Sequence, residues 1–304
     1  MKERLYKALH EKNAIQRYLA RKFFFNLFQR FGFHLTGDHF YEPIPDTRLV
    51  AAKYTEGPRP LSGIDFRLAE CEARALRLIN TYGPDYANDC GKYGFQEENV
   101  YFRGLDALML YAVLRDLRPT KMVEIGQGFS TRIILSALER NARETGRRTE
   151  FISIDPYARF ALAQSCPQIN FRCIRQELQS VDSDQILEGC GLLFVDSSHV
   201  YKFGSDVECE FGRLYTNLRP ETLLHIHDIF SPYDYPQSWM VDLKWFWNEQ
   251  YLLEAFLTFN IAFKVYLPLY LVARQSAAFG ELVRDLKLGP DFRFSGLSFY
   301  VQRL

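Results

Sequence analysis

The side chains best suited to chemistry fall in two short runs, Asp196-Ser197-Ser198-His199-Val200-Tyr201 and His225-Ile226-His227-Asp228. Each run follows an apolar, strand-like stretch. If the two stretches lie side by side, Asp196 and Asp228 converge across one crevice. With His227 they make a candidate divalent-cation site. Oxygen ligands suit Mg²⁺, and a histidine ligand moves the preference toward Mn²⁺, Fe²⁺ or Zn²⁺. His199 lies three residues beyond Asp196 and reaches the same space, where an imidazole is a natural base for a hydroxyl proton. A cation there would make that proton more acidic. The alternative is a metal-free centre in which Asp196 and His227 hydrogen-bond substrate and loops. His225, one strand repeat before His227, reads as a buried, hydrogen-bonded core histidine.

A second constellation precedes these runs. Lys121 to Thr131 reads KMVEIGQGFST, a buried strand, a glycine turn and a helix start. Gly126 and Gly128 let the backbone turn tightly and let a ligand approach, and the N–H groups of the following helix face it. Ser130 and Thr131 are placed to satisfy free donors there. Glu124 would repel a pyrophosphate but suits a cationic or hydroxyl-bearing ligand. No third glycine completes the dinucleotide fingerprint. Asp155, about 30 residues past the turn and at the end of the next strand, suits a bidentate grip on ribose hydroxyls. The alternatives are an ordinary tight turn for the glycines and a helix cap before Pro156 for Asp155.

These residues need a scaffold that brings strand ends together. From Lys121 the pattern alternates strand and helix, with strands at 122–125, 151–154, 171–174, 192–195 and 222–226. A long helix over 239–259 follows, then strands at 262–267 and 298–302, including an antiparallel hairpin. The expected fold is α/β: a Rossmann-like, seven-stranded, mostly parallel sheet with helices on both faces, plus a helical amino-terminal extension. We divide the chain into an extension and substrate lid over 1–117 and a sheet domain over 118–304. Helices are expected over 65–82 and from about 103 to 117, with a loop-rich stretch over 82–100 between them. Residues 1–33 read as a basic amphipathic helix bearing Leu19, Phe23, Leu27 and Phe31. Such a helix lies on a membrane surface or binds a partner, or packs on the core or a second subunit. The last reading favours a homo-oligomer through these helices.

Composition narrows the classes. The 304 residues carry 37 basic and 37 acidic side chains, 47% apolar and 15% aromatic residues. A nucleic-acid binder would show a basic excess, so no nucleic-acid partner is expected. Six cysteines without a CxxC pair read as free thiols in a reducing compartment, so a cytoplasmic location is expected. No run is apolar and long enough for a transmembrane segment.

EIGQGFST resembles the first motif of class I S-adenosylmethionine (SAM)-dependent methyltransferases. HFYEPIPD (39–46) and FWNEQYLLEAFL (246–257) are similar to segments of a bacterial branch of that family, often found among polysaccharide and natural-product genes. The resemblance implies that SAM is held by Glu124, Gly126, Gly128, Ser130, Thr131, Asp155 and Asp196. The Asp196 and His227 runs resemble the metal-dependent O-methyltransferases of the catechol and macrolide-sugar types. That likeness implies Asp196, His227 and Asp228 as ligands of Mg²⁺, Mn²⁺ or Fe²⁺, with Asp196 and His199 catalytic and His199 as the base. His227 stands where that pattern has a carboxylate. The implied activity is O-methylation of a small molecule or sugar. Two other uses of the fold stay open, a metal-dependent oxidation or rearrangement and a non-catalytic SAM-binding protein.

Overall fold

The computed structural model describes residues 20–34, 36, 42–159 and 168–304. Residues 1–19 of the expected basic helix, 39–41 of the HFYEPIPD segment and Cys166 lie outside them. The chain divides into two compact units, one of 1–55 with 236–246 and one of 56–235 with 247–304.

The larger unit contains a seven-stranded sheet. Its strands are β1 (Lys121–Ile125), β2 (Glu150–Ile154), β3 (Asn170–Ile174), β4 (Leu192–Val195), β5 (Leu223–Ile226), β6 (Phe263–Pro268) and β7 (Phe299–Arg303). They stand in the order β3-β2-β1-β4-β5-β7-β6. β3, β2, β1, β4 and β5 pair in parallel, and β7 runs antiparallel to both β5 and β6. Every strand read from the sequence is present, with bounds shifted by at most one residue. The central strands β1, β4 and β5 are buried along their whole length, as a sheet covered on both faces requires. Truncating a wholly buried ring such as Phe151 or Phe194 costs about 3–5 kcal/mol.

Helix α1 (Leu68–Asp89), α2 (Leu105–Leu117) and α3 (Phe129–Thr145) belong to this unit. α2 is buried from Leu105 through Arg115. The Arg115 guanidinium, 2% exposed, donates to Asn141, Asp85 and Glu144, tying α1, α2 and α3 together. α1 runs on through Gly83-Pro84 to Asp89, where a loop over 82–100 was expected. Pro84 removes one backbone donor. Tertiary packing carries the helix past it, since Tyr86 and Asp89 are buried and Tyr111 donates to the Asp89 carboxylate at 2.6 Å.

The helix expected over 239–259 is two helices, Gln237–Val241 and α4 (Glu249–Leu257). Lys244 between them takes a left-handed φ of 60°, which a continuous helix forbids. The five described cysteines other than Cys166 are free thiols. No described helix is long and apolar enough to cross a membrane.

In the smaller unit, Asp46 caps the helix Thr47–Lys53 by accepting from the Arg48 N–H at 2.9 Å. That helix meets Gln237–Val241 through a Gln237 side chain donating to the Ala51 carbonyl. Phe23, Phe24, Leu27, Phe28, Phe31 and Phe33 are exposed.

Candidate functional site

The glycine turn leaves β1 with Gly126 at φ 87°. A Cβ on Gly126 would stand 1.9 Å from the Asp196 carbonyl oxygen, so this position admits glycine alone. Gly128 has an extended φ of −160° and nothing within 4 Å of where its Cβ would be. Its face of the turn is open, leaving room for a ligand over the start of α3.

Beneath the turn lies Glu124, with no exposed surface. Ser130, Thr131 and Ser153 hydroxyls donate to it at 2.6–3.0 Å, and Thr131 Oγ1 accepts from the Gly128 N–H at 3.1 Å. Burial pushes the Glu124 carboxyl up to about 8, against the pull of those three hydroxyls. Ser130 and Thr131, expected to cap the helix, divide the work: Thr131 accepts from the backbone and both donate to Glu124. Asp155 at the end of β2 is pinned to the same turn. Its Oδ2 accepts from the Gln127 N–H at 3.0 Å and its Oδ1 from the Tyr157 N–H at 2.6 Å. Each oxygen keeps a second lone pair for a ligand.

The next strand ends are placed by the same ladder. The Asp196 N–H donates to Ile125 at 2.9 Å, and the His227 N–H donates to Val195 at 3.0 Å. The pairing therefore continues one residue past β4 and β5, delivering both side chains to one crevice. His199 and Asp228 then adopt left-handed φ values of 59° and 57°, a costly conformation for residues with a Cβ that clusters at working sites.

Four side chains converge there. His199 Nε2 lies 3.5 Å from Asp196 Oδ1 and 3.4 Å from Asp228 Oδ2. His227 Nδ1 lies 3.5 Å from each of the same two oxygens. Asp196, His227 and Asp228 each offer a ligand atom within 4.8 Å of the others. These separations exceed good hydrogen bonds, and neither nitrogen of the buried His227 has a hydrogen-bond partner. A cation that accepts a nitrogen lone pair fits this donor set.

Two carboxylates that the sequence reading missed stand behind the histidines. Glu249, wholly buried at the start of α4, faces His199 Nδ1 at 2.8 Å. The His199 carbonyl accepts from the Asn248 and Glu249 N–H groups, and Asn248 Oδ1 accepts from Tyr201 N–H at 2.6 Å. The loop after β4 is thus clipped to the head of α4. Asp106, buried in the first turn of α2, faces His227 Nε2 at 3.6 Å. Its other oxygen accepts from the Leu297 N–H at 2.7 Å and the Ser298 hydroxyl at 2.6 Å. An acid in the first turn of a helix is a common capping signal, so nothing in either local pattern marked it as chemistry.

Burial works against charge on His199, but Asp196, Glu249 and Asp228 win and hold its imidazole well above its ordinary pKa. His227 is raised likewise, burial being overcome by Asp228, Asp196 and Asp106. Burial opposes ionisation of Asp196, and His227 and His199 outweigh it, keeping the carboxylate charged. Burial pushes Glu249 up, with His199 pulling the other way. The pocket favours positive charge.

His225 is buried as expected, but neither of its nitrogens is hydrogen-bonded. It stacks on Tyr300 with ring centres 4.0 Å apart and meets Phe194 edge-on. Burial keeps it neutral. In the loop after β5, Ile229, Phe230, Tyr233 and Tyr235 are buried, and Phe230 and Tyr233 meet Tyr235 and Tyr270 edge-on.

A family model described as a methyltransferase domain matches residues 123–229, from within β1 to just past Asp228. An uncharacterized protein of Archaeoglobus fulgidus is 30% identical over 158 residues, covering 47% of this chain and 68% of its own. Among solved structures, the MycE methyltransferase of the mycinamycin pathway, in complex with Mg, SAH and mycinamycin VI, is 15% identical with a TM-score of 0.38. It covers 71% of this chain, which spans 53% of MycE. SAH-bound PaMTH1 of Podospora anserina is 13% identical with a TM-score of 0.37, over 72% of this chain and 88% of that one. The methyltransferase-domain match coincides with the strands that carry the glycine turn and the strand-end acids, and residues 123–229 of the chain belong to that methyltransferase-domain family.

Proposed function

We propose that the protein transfers the methyl group of SAM to a hydroxyl oxygen of a small molecule or sugar held at the Asp196, His199, His227 and Asp228 cluster. The observation that carries this reading is the contact between the two half-sites. Gly126 of the turn lies against the Asp196 backbone, so a ligand over Gly126–Gly128 and an acceptor at the cluster are neighbours.

In this reading the open face at Gly128 takes the amino acid end of SAM. Asp155 grips the ribose, and Glu124, through Ser130 and Thr131, fixes the shape of the turn from below. The C–O bond forms as the C–S bond breaks. The sulfonium takes back its electron pair, leaving SAH, and the hydroxyl proton passes to His199 in its neutral form, beside the Asp196 carboxylate that stabilises the resulting imidazolium. Alignment supplies most of the rate. A divalent cation held by Asp196, His227 and Asp228 would lower the pKa of the acceptor hydroxyl.

Calorimetric titration with SAM tests the proposal. Wild type is expected to bind, and Asp155→Ala to bind at least about tenfold more weakly, a loss of about 1.4 kcal/mol. No binding by wild type, or equal binding by the variant, overturns it.

A further inference from the structure

We infer that the aromatic segment over 23–33 docks the protein on an anionic lipid surface. Its rings enter the headgroup boundary, and the basic residues around them meet the lipid phosphates. This inference is independent of the methyl-transfer reading.

Local structure presents the rings. The helical turns Ala20–Phe25 and Asn26–Gln29 lead to Gly32 at φ 79°. The Phe33 N–H then donates back to the Phe28 carbonyl at 3.1 Å, a left-handed glycine closure that folds the chain back after the last turn. Phe23, Phe24, Leu27, Phe28 and Phe31 recur at four-residue spacing in two adjacent rows, which puts them on one helical face. All five are exposed, and Phe31 and Phe33 keep 70% and 67% of their surface in solvent. Phe25 falls off that face, is half-buried and stacks on His34 with ring centres 5.0 Å apart. A contiguous apolar face of this kind marks an interaction surface.

Charge selects the occupant. Residues 1–33 contain eight Lys and Arg against two Asp and Glu, a net charge of +6 in a chain whose total is zero. Arg21, Lys22 and Arg30 flank the aromatic run, and Arg30 is exposed. A second copy meeting this face across a twofold axis would press like charge on like charge. An anionic bilayer attracts the same residues, each basic side chain near the surface adding to the affinity. Shallow insertion of apolar rings and a basic patch together supply the two signals that stable surface attachment takes. The attachment is to one leaflet, since no described helix is long and apolar enough to cross a membrane.

Co-sedimentation of the full chain with lipid vesicles tests the inference. Phosphatidylcholine vesicles containing about 30% phosphatidylglycerol should bind it at least about tenfold more tightly than phosphatidylcholine alone. Raising salt from about 0.05 M to about 0.5 M should weaken that binding at least about tenfold. The double variant Phe31→Ser, Phe33→Ser should bind anionic vesicles at least about tenfold more weakly with an unchanged Tm. Absence of binding to anionic vesicles, equal binding to both lipids, binding indifferent to salt, or full binding by the double variant overturns the inference. So does a lipid-free dimer in sedimentation velocity that the double variant dissociates, because a second copy would then occupy the face. If the double variant does not fold, the lipid and salt comparisons on the wild type decide.

Discussion

The end of β1 and the ends of β4 and β5 are built from similar residues and reach opposite states. Around Glu124 three hydroxyls hold one carboxylate, and the backbone of the turn is pinned on both sides. That region is complete without a ligand. Around Asp196 the charged atoms stand 3.4–3.5 Å apart and two residues sit in left-handed backbone. That region holds several polar atoms in low dielectric without good partners, which is costly unless something fills the gap. The contrast separates residues that make a site from residues that await its occupant.

The strongest way to break the contrast is at the seam. Gly126→Ala places a Cβ against the Asp196 carbonyl at a positive φ. It should cost at least about 4 kcal/mol in urea unfolding, damaging both halves at once. Next, the unfinished half should respond to cations. A suitable divalent ion at a hundredfold excess over its Kd should add about 2.7 kcal/mol and raise Tm by several degrees. Asp228→Asn should abolish that rise.

The finished half should respond to pH. Glu124 has its folded pKa raised from 4.5 to about 8, so the native state holds a proton that the unfolded chain releases. Its contribution is fully present below about 4.5 and is lost as pH rises to about 8, at up to about 1.4 kcal/mol per unit. Glu124→Gln should flatten that slope in denaturant titrations at a series of pH values. The smallest effect on stability belongs to Gly128→Leu, within about 0.5 kcal/mol because its side faces open space. The same change should nevertheless fill the open face and abolish SAM binding by calorimetry.

Sequence patterning located the elements that obey local rules. Short apolar runs alternating with helical stretches placed all seven strands, and the acids following three of them placed Asp155, Asp196 and Asp228. It misjudged elements that tertiary packing decides. α1 passes Pro84 because its far end is buried, and the helix expected over 239–259 breaks at Lys244. The site was legible in the same measure. Its members on consecutive strands were visible, because parallel pairing brings strand ends together by rule. Glu249 and Asp106 were not, since helices outside that rule supply them. Glu249 meets His199 across 50 positions of chain, and no local spacing encodes such a meeting.

The contact between Gly126 and Asp196 has one further consequence. β1 and β4 are hydrogen-bonded neighbours, and Asp196 donates to the last residue of β1. In the proposed reaction the separation between donor and acceptor half-sites is therefore a lattice constant of the sheet. On that proposal, changes in the surface loops would alter which molecule is admitted, and the length of the methyl group's path would stay as the two strands set it.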